Sequence, residues 1–228
     1  VTEMGNPYLM PMYMNAFNFT HTYKGKISNS ITYNKIKNVY FDYTIQNDST
    51  KETIGTITNL NGRDVLAYDI FIQQNVFKWW ITTFNASCIY FKFSGEIYDQ
   101  KFNVESYSYY AGINNQFIFP KKTKLELSAF YSGPWRNNVG IFESRYNVDM
   151  AIRKSFLSDK LNLVIGCSDI FFTSIFRGNV DYLNLHSRSV HTSDTRRLRF
   201  TLSYNFGKLK VQQRQVKSND DESRRMNH

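Results

Sequence analysis

The stretch Leu198-Arg199-Phe200-Thr201-Leu202-Ser203-Tyr204-Asn205-Phe206 decides the fold class. Its even-numbered residues are all aliphatic or aromatic, and its odd-numbered residues are all polar. Successive side chains of a β-strand point to opposite faces, so this alternation predicts a strand with one apolar and one polar face. Such a strand is expected where an apolar environment meets water.

The same period-two alternation recurs along the whole chain, and no stretch of comparable length keeps the 3.6-residue period of a helix. In one long segment the phase set by Ile31 and Tyr33 resumes at Val39 and Phe41, which places all four side chains on one face. The sequence therefore predicts an all-β, antiparallel protein. The nine predicted strands are 15–23, 27–45, 53–74, 79–92, 104–119, 123–132, 141–155, 160–168 and 195–206.

The length of these strands separates the possible β architectures. Strands of soluble sandwiches usually have about 5–6 residues, and a strand that crosses a bilayer needs about 9–11. The segments 27–45 and 53–74 exceed both lengths. The sequence thus favours a portion of a transmembrane β-barrel over a soluble β-sandwich module that binds carbohydrate or nucleic acid.

The connections between predicted strands alternate between short and long. Residues 24–26 and 120–122 form short turns, whereas 93–103 and 169–195 are long connections. Outer-membrane barrels have short periplasmic turns and longer extracellular loops. Because the last strand ends on the short-turn side, we expect the C-terminus to lie in the periplasm.

Composition excludes several classes of protein. The chain has 228 residues with 28 basic and 19 acidic side chains, a net charge of +9, and 17% aromatic residues. That aromatic content is too high for a disordered chain, and no apolar run reaches the roughly 18 residues of a transmembrane helix. The charge could suggest nucleic-acid binding. The basic residues, however, concentrate in turns, loops and the tail 207–228, so we expect no nucleic-acid partner.

Neither catalytic nor metal chemistry is indicated by the motifs. The sequence has no Gly-x-Ser-x-Gly, no glycine-rich phosphate loop and no Cys-x-x-Cys. His186, His191 and Asp194 crowd the last long loop, but their spacing matches no structural zinc pattern. Cys88 and Cys167 fall on predicted strands that are not neighbours, so a disulfide between them is not expected. We predict a protein that is not an enzyme and that has no cofactor or metal.

An odd number of strands is itself informative. Bacterial single-chain barrels have even strand numbers, and an unpaired edge in lipid leaves backbone groups unsatisfied. We therefore expect residues 1–206 to be the C-terminal part of a larger barrel, which a first residue other than Met also favours, followed by a charged, disordered tail at 207–228. A small stand-alone barrel with one misjudged element is the alternative.

Two sets of residues are candidates for contact with the membrane. Aromatic side chains beside short turns are expected to form a girdle at the periplasmic interface. The terminal strand is expected to face lipid and to serve as the signal for the barrel assembly machinery, whose substrates typically end in an alternating apolar strand with a final aromatic residue. The girdle set is Tyr23, Trp79, Trp80, Phe119 and Phe156, and the terminal set is Leu198, Phe200, Leu202, Tyr204 and Phe206.

Several segments, in order across nearly the whole chain, resemble the TonB-dependent receptors, in particular their outer-membrane β-barrel subfamily. Met12 departs from the pattern, because these receptors commonly have Glu after the Asn-Pro-x-Leu-x-Pro run. The matching segments are Gly5-Asn6-Pro7-Tyr8-Leu9-Met10-Pro11, Phe117-Ile118-Phe119-Pro120-Lys121, Tyr131-Ser132-Gly133-Pro134, Arg153-Lys154-Ser155-Phe156, Asp169-Ile170-Phe171 and Tyr204-Asn205-Phe206-Gly207.

The resemblance implies an outer-membrane receptor that imports a large, scarce nutrient such as a siderophore or a glycan. In such receptors an N-terminal plug gates the barrel, and the TonB complex supplies the energy through that plug. The plug would lie upstream of Val1. The implied partners are outer-membrane lipid, the barrel assembly machinery, the TonB complex and an unidentified nutrient.

Overall fold

The chain is built from β-strands that follow one another as a long meander. The structure is a computed structural model that describes residues 2–46, 49–50, 52–97, 100–137, 140–182 and 185–206, so the predicted tail at 207–228 lies outside the described residues. Across these ranges, no helix is long and apolar enough to span a membrane. The strands are β1 (Thr2–Met4), β2 (Tyr13–Tyr23), β3 (Ile27–Gln46), β4 (Thr53–Phe77), β5 (Trp80–Ile97), β6 (Gln100–Phe119), β7 (Thr123–Ser132), β8 (Trp135–Asn137), β9 (Gly140–Phe142), β10 (Arg145–Phe156), β11 (Leu161–Ser168), β12 (Phe176–Tyr182), β13 (Leu185–His191) and β14 (Arg197–Tyr204).

The main sheet has ten strands: β1 pairs with β4. The other nine follow one another in the order β14-β11-β10-β7-β6-β5-β4-β3-β2. Every neighbouring pair in this order is antiparallel. They correspond one to one with the nine predicted strands, so the predicted all-β antiparallel fold is confirmed. The sheet is open, because β2 and β14 are its two edges. Eight antiparallel steps separate them, and β2 and β14 therefore run in the same direction.

The long connections differ from the prediction in three places. The predicted loop 93–103 is largely strand, because β5 and β6 stay paired as far as Ile97 and Gln100. The predicted strand 141–155 is two strands, β9 and β10. Connections predicted as loops contribute to a second sheet, of four strands in the order β13-β12-β9-β8. Its shortest strands have only three residues, too few to produce a period-two pattern.

The two ends of the main sheet are built differently, and we call them the turn end and the loop end. At the turn end, connections of two to four residues join β2 to β3, β4 to β5, β6 to β7 and β10 to β11. Left-handed backbone at Lys24, Gly25, Lys121 and Lys122 closes two of these turns. The last strand ends at Tyr204 rather than at 206, and Asn205 donates a backbone hydrogen bond to Lys160 at the same end.

The most deeply buried apolar side chains lie near the loop end and not in the middle of the sheet. Val39 and Phe41 of β3 and Leu60 of β4 pack against Phe91 and Phe93 of β5. Phe41 is 0% exposed, and its ring meets the edge of Phe93 at 6.1 Å between centroids. This small core is formed where the end of the β3–β4 hairpin leaves β5.

We call this part, residues 39–46 of β3 and 53–60 of β4, the loop-end hairpin. The pairing of β4 with β5 stops at Gly62, whereas β3 and β4 stay paired to Gln46 and Thr53. At the point of departure Asn38 has a left-handed φ of 54°. This kink contradicts the prediction that Val39 and Phe41 continue the outward phase of Tyr33. The backbone turns at Asn38, and both side chains pack on the opposite side of the sheet.

Candidate membrane-spanning surface

One face of the main sheet is apolar across every strand. The register places apolar side chains of successive strands beside one another, so the alternation predicted for single strands becomes a continuous surface, which we call the outward face. Most of its side chains are exposed, as expected for a surface that faces a solvent other than water. One row runs Ile27, Ile72, Phe84, Ile113, Ala129 and Val148.

The opposite face, which we call the inner face, is mainly polar. Asn18 donates to the hydroxyl of Thr32 at 2.7 Å, and Ser155 donates to Asn162 at 2.7 Å. Arg153 approaches Glu126 at 4.0 Å on the same face. These polar pairs bond to one another across strands, so this part of the inner face is a polar surface and not a packed core.

A row of charges marks the loop end of the outward face. Lys35, Asp64, Lys92 and Glu105 stand beside one another on β3, β4, β5 and β6, with alternating sign. Lys92 and Glu105 form an ion pair of 2.7 Å, and Tyr90 donates to Glu105 at 3.0 Å. Charges are costly in hydrocarbon and are satisfied in the polar interface. The row therefore marks the boundary of the apolar surface at the loop end.

All five predicted girdle residues lie at the turn end. Trp79 and Trp80 join a stack with Phe77 and Phe117, with ring centroids 5.5–6.2 Å apart. Trp80 also donates its indole N–H to Asn115 at 2.9 Å. Tyr23, Phe119 and Phe156 occupy the turn ends of β2, β6 and β10. Their role at a membrane interface remains a prediction.

The terminal strand has the predicted alternation and is open along one edge. Leu198, Phe200 and Leu202 pair with Cys167, Ile165 and Leu163 of β11, and all point to the outward face. Leu198 is 79% and Phe200 66% exposed. Tyr204 and Phe206 contact each other edge to face at 4.7 Å. Lipid contact and recognition by the assembly machinery remain predictions for this set.

The loop end of β14 is held by a buried carboxylate whose role the sequence did not reveal. Asp169, 2% exposed, accepts hydrogen bonds from the Thr195 hydroxyl at 2.6 Å and from the backbone N–H groups of Thr173 and Ser174 at 2.9 and 3.1 Å. Its own N–H donates to Asp149 at 2.7 Å. Burial raises the pKa of Asp169, but these hydrogen bonds outweigh it and hold the pKa below the ordinary value. The carboxylate ties the β11 loop to the segment that precedes β14.

The remaining candidate ligands do not come together. Cys88 lies on β5 and Cys167 on β11, with β6, β7 and β10 between them. His186 and His191 stand near opposite ends of β13, and Asp194 follows that strand. Within the ranges that the structure describes, no group of three His, Cys, Asp or Glu side chains could hold a metal ion.

A groove on the outward face shows what kind of ligand that surface suits. It measures about 370 Å³ and lies over Ala111 and Ala129, whose small side chains leave a depression between larger ones. Its walls are almost wholly apolar, from residues such as Phe84, Ile113 and Val148. A groove of this chemistry offers almost no polar group for recognising a polar nutrient.

Comparison with known proteins agrees with this geometry. A model of the outer membrane protein beta-barrel family matches residues 1–204, which is nearly the whole chain. Neither the curated proteins nor the solved structures contain a match. The match covers all strands of the main sheet with its apolar outward face. The chain therefore belongs to the outer membrane protein beta-barrel family, which indicates the outer membrane as its location.

Proposed function

We propose that this chain is the C-terminal barrel portion of a TonB-dependent outer-membrane transporter that imports a large, scarce nutrient. The observation that supports the proposal most directly is the open run of nine antiparallel strands in the main sheet. Its edge strands β2 and β14 run in the same direction, and neither edge is paired on its free side within the described residues. Each unsatisfied backbone group at such an edge costs several kcal/mol in lipid.

The direction of the edge strands decides what can close the sheet. A strand that is antiparallel to β14 on one side and to β2 on the other fits between them, and so does any odd number of strands. Nine strands plus an odd number give an even total, as in bacterial barrels. Further strands of the same polypeptide would satisfy both edges and would widen the barrel enough for a plug and a large solute.

A stand-alone barrel is the second candidate, and the same open sheet supports it in a different way. If β2 paired directly with β14, the pair would be parallel and would close a narrow nine-stranded barrel. Parallel closure with an odd strand number is rare but known in membrane barrels. This candidate makes the protein a small outer-membrane barrel without a plug.

The proposed roles of the remaining parts follow from the two faces. The outward face contacts outer-membrane lipid, and the assembly machinery recognises β14 from Leu198 onward. The turn end, with Trp79 and Trp80, lies on the periplasmic side together with the C-terminus. The polar inner face and the loop-end connections contact the solute, while the TonB complex acts through a plug. We propose no enzymatic step and no cofactor.

Intact mass measurement of the mature protein, extracted from outer membranes with detergent, separates the two candidates. A mature polypeptide with further barrel strands supports the larger transporter, and a polypeptide no longer than these 228 residues supports the stand-alone barrel. Recovery of monodisperse protein from the soluble fraction without detergent would contradict both.

The transport step is tested with a deletion strain. Labelled siderophores, glycans and cobalamin are offered to wild-type and deletion cells, with and without an uncoupler that collapses the proton-motive force. We expect one solute whose uptake needs both the gene and the proton-motive force. Uptake that needs the gene but is insensitive to the uncoupler would replace the TonB-dependent mechanism with passive diffusion.

A further inference from the structure

We propose that residues 5–12 act as a brace that holds the loop-end hairpin over the inner face of the sheet and so sets the width of the loop-end mouth. The part about the mouth rests on the proposed barrel, whereas the brace itself is a statement about this chain alone.

The hairpin packs on the inner face and not beside the sheet. Lys92 points to the outward face, so its neighbours Phe91 and Phe93 point inward, and it is these two rings that the hairpin covers. Leu60, 1% exposed, lies directly over Gly95. A Cβ on Gly95 would stand 2.7 Å from the Leu60 Cδ2 atom, so glycine at this position permits the close approach. The hairpin therefore extends inward across the end of β5.

The brace is fastened to the hairpin by three asparagine side chains. Asn6 donates to the Ile57 carbonyl at 3.0 Å. Asn59 accepts from the Met10 N–H at 2.7 Å and donates to the Met10 carbonyl at 3.0 Å. At the kink, Asn38 donates to the Pro11 carbonyl at 3.2 Å. The segment is thus held along the whole length of the bend.

The two ends of the brace are attached to different parts of the molecule, one to the loop-end hairpin and the other to the main sheet. Before it, β1 pairs in parallel with residues 54–56 of the hairpin. After it, β2 pairs with β3 from Lys37 toward the turn end, inside the main sheet. The segment therefore crosses the kink at Asn38 and fixes the angle between hairpin and sheet. Two prolines, Pro7 and Pro11, restrict its backbone, which reduces the freedom lost on ordering.

This geometry assigns a role to the Gly5-to-Pro11 motif that the sequence analysis singled out without explanation. Asn6 also accepts a hydrogen bond from the Tyr8 N–H at 2.9 Å, an Asx turn that shapes the Asn-Pro-Tyr step. At the same end of the molecule β13 comes within 8 Å of β3 between Cα atoms. The second sheet thus approaches the strand that carries the hairpin, and the brace keeps the hairpin in place.

The brace is tested with Asn59→Ala in the full-length protein, with Asn61→Ala as the matched control. Asn61 is an exposed asparagine on the same strand. Hydrogen exchange of the amides at 39–46 and 53–60 is measured in lipid nanodiscs. Asn59→Ala removes both bonds to Met10 and also the Asn59 donation to the Asn38 carbonyl at 2.8 Å. Since each bond contributes about 1 kcal/mol, loss of the two Met10 bonds alone is expected to speed exchange about 30-fold. Unchanged exchange in Asn59→Ala overturns the brace, whatever the transport assays show.

The mouth is tested by conductance in planar bilayers and by a disulfide lock. We expect a larger or more frequently fluctuating conductance for Asn59→Ala than for Asn61→Ala. The lock combines Leu60→Cys with Gly95→Cys, and both native cysteines are replaced in the same protein by Cys88→Ala and Cys167→Ala. These two positions are chosen because the Leu60 Cβ lies 3.1 Å from the position of a Cβ at residue 95, near the 3.5–4.5 Å of a disulfide. Oxidation should return the Asn59→Ala conductance to the control value.

The outcomes of these experiments test the brace and the proposed transport function separately. Faster exchange with unchanged conductance overturns the control of the mouth and leaves the brace. Failure of the two cysteines to bridge under oxidising conditions overturns the inward position of the hairpin. A deletion strain without an uptake defect, together with the expected exchange and conductance, overturns the proposed nutrient uptake and leaves the brace intact.

Discussion

Phe41 and Phe17 lie on neighbouring strands, β3 and β2, but their apolar rings have opposite surroundings. Phe41, on the loop-end hairpin, is fully buried against other side chains, whereas Phe17 on the outward face is 64% exposed. The first is covered by protein, as in a water-soluble fold, whereas in the proposed barrel the second is covered by the bilayer, which is as apolar as the side chain. We therefore expect the main sheet to need a membrane for its stability and the hairpin to need only the rest of the chain.

The largest effect is expected from removing the buried ring of that pair. Phe41→Ala leaves a cavity beneath the hairpin and should lower the unfolding free energy of that region by about 3–5 kcal/mol. Phe17→Ala in lipid should cost less than half as much, because lipid chains fill the space that the ring leaves. Denaturant unfolding in lipid vesicles, followed by hydrogen exchange, compares the two. Equal losses would mean that Phe17 also packs against protein.

The next largest difference in stability is expected between two variants that place an arginine on opposite faces of the sheet. Ile113 is in the middle of the outward face, and Asn114 beside it points inward. Ile113→Arg should destabilise the protein in lipid by about 2–4 kcal/mol, the cost of a basic side chain near the bilayer midplane. Asn114→Arg should be close to neutral, because Glu126 and Asp149 line the same inner-face cavity. A reversed order would place the bilayer on the other face.

The Asp169 network tests whether the loop end holds β14 in place. Asp169→Asn should lower the free energy of opening the loop by about 1–3 kcal/mol, because the amide nitrogen is a donor facing donors. The matched control is Asp159→Asn, an exposed partner of Lys122 whose ion pair should contribute about 0–1 kcal/mol. Hydrogen exchange of residues 170–174 and of Thr195 reports the opening. Equal protection in both variants would remove Asp169 from this role.

The same carboxylate predicts a dependence on pH. Its pKa in the folded chain lies below the ordinary value. Its contribution to stability is therefore complete above the unfolded pKa of about 3.9 and is lost as the pH falls through the folded pKa. Exchange protection of residues 170–174 should stay constant from neutral pH down to about pH 5 and then decline. The decline should be absent in Asp169→Asn.

The sequence predicts the structure wherever the local pattern of residues and the tertiary contacts agree. Alternation is a local property, so it predicted the nine antiparallel strands of the main sheet and the apolar face of β14. It failed at Val39 and Phe41, because one left-handed residue, Asn38, reverses the face without changing the pattern. The Asp169–Thr195 bond and the asparagine brace join residues 26 to 51 positions apart, a separation that no local pattern records.

The smallest expected effect concerns the turn end, where two adjacent tryptophans differ in one hydrogen bond. Both stack with Phe77, but Trp80 also donates its indole N–H to Asn115 on the outward face. Trp80→Phe keeps an aromatic ring and removes the donor, so the amide of Asn115 loses its partner near lipid. We expect a loss of about 0.5–1.5 kcal/mol in unfolding free energy, against a smaller loss for Trp79→Phe. A double-mutant cycle with Asn115→Ala isolates this bond, because the difference between the tryptophans should vanish in that background. If the difference between the two tryptophan variants persists, its cause is instead the depth of each ring in the interface.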